Sequence, residues 1–316
     1  MGHAIIETNN TLNEVNGIDQ PNTLTYAVQI QDAGKTVQYI LQNKLHLSRT
    51  LIRELKGSGK ICRNGTPVFS NQLVLSGDKV TITWQIPTQQ IIASPIPLSI
   101  VYEDDDLLVI DKPWNMLAHP VGQFQTNTVA NAVIHHFNCT ASKASFHPVN
   151  RLDRNTSGLM LIAKHKWIHQ QLNDLNCKNK LHKQYVAVVY GNVPDDSGVI
   201  TAPIARLPGS IISRYVADGG QKAITHYRVI ERFEHGTLVS ITLETGRTHQ
   251  IRVHFMHIGH PLIGDTLYGD SSELITRQAL HAERLSFPHP RTKEQVDCHA
   301  PLPDDIKTLI STLKSD

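Results

Sequence analysis

The first arrangement here whose residue types could do covalent chemistry is a carboxylate set between two guanidinium groups. In His147-Pro148-Val149-Asn150-Arg151-Leu152-Asp153-Arg154-Asn155-Thr156-Ser157-Gly158-Leu159, Asp153 lies between Arg151 and Arg154, just ahead of an apolar run. A cation within about 4 to 6 Å favours the charged form of an Asp, and a charged Asp can attack carbon. The same side chain can instead hold a turn by accepting from nearby backbone amides. Residue chemistry alone leaves both readings open. Further along, Gln250-Ile251-Arg252-Val253-His254 alternates as a strand would, with Ile251 and Val253 on one face and Gln250, Arg252 and His254 on the other. Arg252 can then face either a site or solvent. His254, His257 and His260 recur every third residue, but Gly259 and Pro261 mark a turn and no clustered Cys or carboxylate completes a ligand set. No metal and no cofactor are expected, and the chain has neither a dinucleotide fingerprint nor a phosphate-binding Gly-Lys-Ser/Thr loop.

The elements that must position these groups fall into two parts. From Thr36, the apolar residues Val37, Ile40, Leu41, Leu45, Leu51, Ile52 and Leu55 recur at helical spacing, with Ser48 placed to cap a second helix. Gly57-Ser58-Gly59 follows, then Lys60 to Arg63 as a strand, Asn64-Gly65 as a tight turn, and Lys79 to Trp84 as another strand. Residues 87–97, with Pro87, Pro95 and Pro97, read as a linker, and residues 1–22 as a polar tail. The expected domains are therefore a small one over 23–86 and a large one over 98–316.

In the large part, strands are expected at 98–103, 107–110, 159–163, 184–190, 223–231 and 237–243, and helices near 127–136, 166–175 and 304–313. Strands that follow one another directly favour an antiparallel or mixed sheet, so the fold class is α+β.

Charge is distributed unevenly. The 316 residues carry a formal net charge of only +2. Between Tyr26 and Trp84, however, eight Lys or Arg oppose Asp32, Glu54 and Asp78, giving that segment about +5. Arg49, Arg53 and Lys56 are three or four residues apart and share a helix face, a stripe that suits phosphate and equally suits a solvated surface. No stretch approaches the roughly 20 apolar residues of a membrane span, and the four cysteines form no close pair. A reduced cytoplasmic monomer without membrane attachment is expected.

Family resemblance narrows these readings. Ser48 to Arg53, Gly59 to Gly65 and Val74 to Val80 resemble the small RNA-binding domain first described in a ribosomal small-subunit protein and attached to many RNA-modifying enzymes. That resemblance implies phosphate contacts through Arg49, Arg53, Lys56, Lys60 and Arg63. Arg151 to Leu159 resembles the signature of the RluA-type pseudouridine synthases. Further matches follow in order: Lys183 to Ala187, Glu244 to His254, Gly264 to Gly269, Leu280-His281-Ala282, His289-Pro290 and Ala300 to Pro303.

The second resemblance implies isomerisation of uridine to pseudouridine in structured RNA. Asp153 would be the essential carboxylate, Tyr185 would stack on the target base, and Arg252 would pair with Asp153. Arg151, Arg154, Arg247, His249, Gln250 and Leu280 would meet substrate. Large-subunit ribosomal RNA is the favoured substrate; transfer RNA, or a non-catalytic RNA-binding or ribosome assembly role, is the alternative. The family usually has His before Arg-Leu-Asp, whereas this chain has Asn150, a departure that bears on substrate fit. Asp265 is a further carboxylate in these motifs, and its flanking Gly264 and Gly269 suggest a turn.

Overall fold

The computed structural model describes residues 23–56, 60–84, 91–122 and 126–315. The expected tail, Gly57-Ser58-Gly59 and the first part of the expected linker lie outside the described residues. The chain divides into two compact units, 1–87 and 88–316.

In the first unit, the helices Val37–Asn43 and Arg49–Lys56 are capped as their sequences allow. Thr36 accepts from the Tyr39 amide at 3.1 Å, and Ser48 from the Leu51 amide at 3.2 Å. Four antiparallel strands complete the unit in the order Thr23–Ala27, Lys79–Thr83, Ile61–Arg63, Thr66–Pro67. Asn64 and Gly65, both at positive φ (53° and 82°), turn the hairpin. The first strand is an addition to the expected outline; its alternate residues Leu24 and Tyr26 enter a core with Ile40, Leu41, Val80 and Ile82. The Arg49–Lys56 helix buries Leu51, Ile52 and Leu55 and exposes Arg49, Arg53 and Lys56.

The second unit is built on a ten-stranded sheet. Its main path runs Ser197–Ile200, Thr225–Arg232, Gly236–Leu243, His182–Tyr190, Leu280–Pro288, Ser157–Ala163, Leu107–Lys112, Ser99–Glu103, with Gln295–His299 and His147–Pro148 attached beside it. Every pairing is antiparallel except Leu280–Pro288 against Ser157–Ala163. The α+β class with a mixed, largely antiparallel sheet is therefore what the chain adopts.

The central strand His182–Tyr190 has little polar alternation because both its faces are covered. Tyr185, Ala187 and Val189 pack with Ile251 and Phe255, whereas Val186 and Val188 pack with Ile306, Leu309 and Leu313. The helices Val129–Cys139, Lys166–Cys177 and Asp304–Ser315 lie close to their expected spans.

Two expectations need correction. Gln250–His257 is a helix, not a strand. Residues 91–97 are not a free linker: the Asn131 side chain donates to the Ile92 carbonyl at 2.6 Å, the Ser94 amide donates to the Asn131 carbonyl at 3.1 Å, and Ile91 packs against the apolar cluster that includes Val129 and Val133. Gly158 shows why the parallel pairing needs glycine. At φ 109° its missing Cβ would stand 2.2 Å from the Ala282 carbonyl oxygen.

Candidate active site

Asp153 sits on the loop between His147–Pro148 and Ser157–Ala163, and that loop is anchored at many points. Leu152 is buried beside Tyr185, Ile251 and Leu280. Asn150 bridges the backbone of the following strand, donating to the Leu159 carbonyl at 3.1 Å and accepting from the Leu161 amide at 2.7 Å. The residue that departs from the family pattern therefore braces the loop from below. The Arg154 carbonyl accepts from Lys112 Nζ at 3.2 Å and from the Met116 amide at 3.1 Å. The Asn155 carbonyl accepts from Arg277 at 3.1 Å.

Lys112 is fully buried at the end of its strand and also donates to the Pro113 and Met116 carbonyls, at 2.8 and 2.9 Å. Burial pushes its pKa down to about 7, against the opposing pull of the Asp153 charge. Arg277, equally buried, is held by both oxygens of Asp305.

The cation that pairs with Asp153 comes from far along the chain. Arg252 Nη1 donates to Asp153 Oδ2 at 3.0 Å across 99 residues. Of the chain neighbours, Arg151 is exposed, and Arg154 is exposed with Nε on Asn115 Oδ1 at 3.0 Å. The remaining donors of Arg252 form a fork on Asp265, Nε to Oδ2 at 2.7 Å and Nη2 to Oδ1 at 2.8 Å. Burial disfavours the Arg252 charge, but Asp265 and then Asp153 outweigh it and raise its pKa.

Asp265 does keep a turn role, since Oδ1 also accepts from the amides of Leu267 and Tyr268 at 3.1 and 3.3 Å. The guanidinium of Arg252 lies 5.0 Å above the Tyr268 ring centroid.

Tyr268 links this pair to His249. Its hydroxyl accepts from the Arg214 amide at 2.8 Å and stands 2.8 Å from His249 Nδ1. The other ring nitrogen of His249, Nε2, lies 3.7 Å from Asp153 Oδ2. Burial lowers the pKa of His249, against the opposing pull of the Asp153 charge. The residue occupies the left-handed region, φ 58°, at the start of the Gln250–His257 helix.

Tyr185 is almost fully buried, and burial followed by the Asp153 charge raises its pKa beyond the ordinary phenol range.

The other expected site residues divide. Arg247 is exposed, with Nε on the Lys222 carbonyl at 3.0 Å. Gln250 is buried and committed to the fold: Oε1 accepts from Thr245 Oγ1 and the Arg247 amide, and Nε2 donates to the Ile224 carbonyl and Thr225 Oγ1. Leu280 lies within the apolar cluster around Tyr185. His254 is hydrogen-bonded to Thr225 and the Ala202 carbonyl, and among the described residues no three His, Cys, Asp or Glu side chains are grouped to hold a metal. Arg63, in the first unit, donates to the Leu73 carbonyl at 2.7 Å and lies 3.8 Å from Asp78, so part of its charge is engaged within the fold.

Known proteins resemble this chain in sequence and in fold. The family model described as RNA pseudouridylate synthase matches residues 106–257, which include Asp153, Tyr185 and Arg252. A Bacillus subtilis (strain 168) protein described as uncharacterized RNA pseudouridine synthase YjbO is 43% identical over 84% of this chain and 95% of its own length. The ribosomal large subunit pseudouridine synthase D of Vibrio parahaemolyticus is 36% identical over 94% of this chain and 96% of its own. Among solved structures, human RNA pseudouridylate synthase domain containing 1 has the same fold, with a TM-score of 0.55 and 24% identity over 70% of this chain and 96% of that one. The chain is an RNA-modifying isomerase by class; it belongs to the RNA pseudouridylate synthase family.

Proposed function

We propose that this protein converts uridine to pseudouridine in large-subunit ribosomal RNA, working as a cytoplasmic monomer with Asp153 as its catalytic carboxylate. The observation that carries the residue assignment is the Asp153–Arg252 pair, which holds, on a braced loop, a carboxylate whose charge is felt by Tyr185. A curated relative matched along nearly its whole length bears a large-subunit ribosomal RNA name, which favours that RNA over transfer RNA.

The reaction breaks the bond from C1′ to N1, turns the uracil, joins C1′ to C5, and moves the C5 proton to solvent while N1 regains one. Asp153 acts as the anion that adds to ring C6, displaces uracil N1 at sugar C1′, or assists loss of the base; a bond formed to Asp153 breaks again as or after C5 joins C1′, which returns the free carboxylate. Tyr185 offers an aromatic face for the base, a contact of about 1 to 3 kcal/mol that tolerates ring rotation. Burial raises the Tyr185 pKa, which favours the freed Asp153 carboxylate over a Tyr185 phenolate as acceptor of the C5 proton. Extruding the nucleotide from its stack costs a few kcal/mol, and the exposed Arg49, Arg53 and Lys56 stripe supplies phosphate contacts that offset it.

Single-nucleotide pseudouridine mapping of ribosomal and transfer RNA from cells with and without the protein tests this reading. A large-subunit site should vanish on loss and return with the wild type but not with Asp153→Asn. A lost site in transfer RNA instead would refute the substrate assignment.

A further inference from the structure

A second basic feature lies beyond Asp153 and Arg252, in the same unit. The short hairpin Ile204–Arg206 with Arg214–Val216 borders a cavity of about 410 Å³ whose lining includes Arg206, Arg214, Arg247, Gly219, Gly220 and Thr248. Three guanidinium groups and no carboxylate line it.

Each arginine is braced through part of its fork. Arg206 Nε donates to the Ser210 carbonyl at 2.8 Å, Arg214 Nη1 to the Ile212 and Ser213 carbonyls at 2.8 and 3.0 Å, and Arg247 Nε to the Lys222 carbonyl at 3.0 Å. These bonds fix the arms and leave further N–H donors on every one of them for a ligand. Prepaid ordering of this kind lowers the entropy cost of binding an anion, and planar guanidinium forks match phosphate oxygens. Gly220 lets the chain pack closely against the hairpin at the cavity wall: a Cβ there would stand 2.7 Å from the Ile204 backbone.

The cavity is also tied to the catalytic group. The Arg214 amide bonds to Tyr268, Tyr268 to His249, and His249 faces Asp153, while Thr248 is His249's neighbour in the chain. Past Arg206 and Arg214 the hairpin ends in exposed Leu207, Ile211 and Ile212, an apolar tip suited to lie against bases of an opened strand.

We propose that this cavity holds a backbone phosphate of the RNA strand beside the target nucleotide, making the Ile204–Val216 hairpin a clamp on the opened strand. The inference rests on RNA being the substrate, and names a contact separate from the first unit's arginine and lysine stripe.

The test compares the full-length wild type with Arg206→Gln, Arg214→Gln, the double variant and Arg206→Lys, each with its melting temperature checked. The probes are an unmodified large-subunit ribosomal RNA transcript and inorganic phosphate. The double variant should melt like the wild type, bind RNA about tenfold more weakly, and show a salt slope smaller by about 0.7, the value for one single-strand phosphate. At saturating RNA its turnover rate should stay near that of the wild type while KM rises, and Arg206→Lys should fall between.

Unchanged affinity and slope in the double variant would overturn the proposal. So would inorganic phosphate binding accompanied by undiminished RNA affinity, which would define a small-anion site. A fall in turnover rate with KM unchanged would make the arginines part of the chemistry and refute the clamp. Absence of turnover by the wild type would count against the proposed reaction, while affinities and salt slopes would still decide the clamp.

Discussion

Asp265 grips Arg252 through two parallel hydrogen bonds, at 2.7 and 2.8 Å, and leaves Nη1 free to reach Asp153 at 3.0 Å. One arginine thus stands between two carboxylates, one buried and holding it, the other half-exposed and held by it. Removing one partner of a buried pair leaves the other uncompensated, at a cost of about 3 to 5 kcal/mol.

Asp265→Asn should therefore lower the melting temperature and cut turnover by roughly 10- to 100-fold, about 1.4 to 2.7 kcal/mol, while RNA affinity changes little. Turnover and melting equal to the wild type would mean that Asp265 does no more than shape its turn.

Tyr185 separates stacking from proton transfer. Tyr185→Phe keeps the aromatic face and should retain most RNA affinity and measurable turnover, whereas Tyr185→Leu should lose roughly 1 to 3 kcal/mol of base contact. Equal, complete inactivity of both variants in a tritium-release assay would assign the hydroxyl a direct part in the chemistry.

Acid should destabilise the fold through its buried histidines. Burial lowers the pKa of His147 and of His281 from 6.5 to about 4, and His281 is further engaged by Ser157 Oγ at 2.9 Å. Both folded values lie below the unfolded one, so the unfolded chain takes up protons first as pH falls. Stability is then fully present above about 6.5 and declines toward pH 4, by up to roughly 3 kcal/mol per ring. Denaturant midpoints at pH 7 and 5 read this directly. A flat profile, or one that His281→Asn leaves unaltered, would exclude His281 from the effect.

Replacing Arg49, Arg53 and Lys56 together by Gln should reduce the salt slope of RNA binding by about 2, at roughly 0.7 per phosphate contact, without altering melting, because all three side chains are exposed. An unchanged slope would reduce the stripe to a solvated surface.

Asp153 was singled out by the resemblance carried by Arg151 to Leu159; its local chemistry alone, a carboxylate among polar residues ahead of an apolar strand, fitted a turn as well as a catalytic group. The small unit was legible from local chemistry, since Thr36, Ser48 and Asn64-Gly65 are caps and a turn that act on their immediate neighbours. The helix Gln250–His257 was not. Ile251 and Val253 alternate with polar residues over five positions, and eight residues are too few for period 3.6 to overrule period 2.

Its polar residues were misread for a related reason. Gln250, Arg252 and His254 are all buried against polar partners, which a hydrophobic pattern cannot express. The ion-pair role of Asp265 and the burial of Lys112 were not legible because their partners come from other segments. A carboxylate between glycines looks like a turn, and a lysine ending an apolar strand looks like its exposed tip. The clamp hairpin left little trace at all: its strands are three residues each, and its arginines meet Arg247 only through the fold.

The most direct test of the central claim is pseudouridine formation by purified Asp153→Asn on an unmodified large-subunit ribosomal RNA transcript, beside the wild type. Asparagine keeps the shape and can still meet Arg252, but it cannot attack carbon as an anion. The variant should bind the transcript within about twofold of the wild type and form no detectable pseudouridine. Turnover by Asp153→Asn at a rate near that of the wild type would contradict the assignment of Asp153 as the catalytic carboxylate.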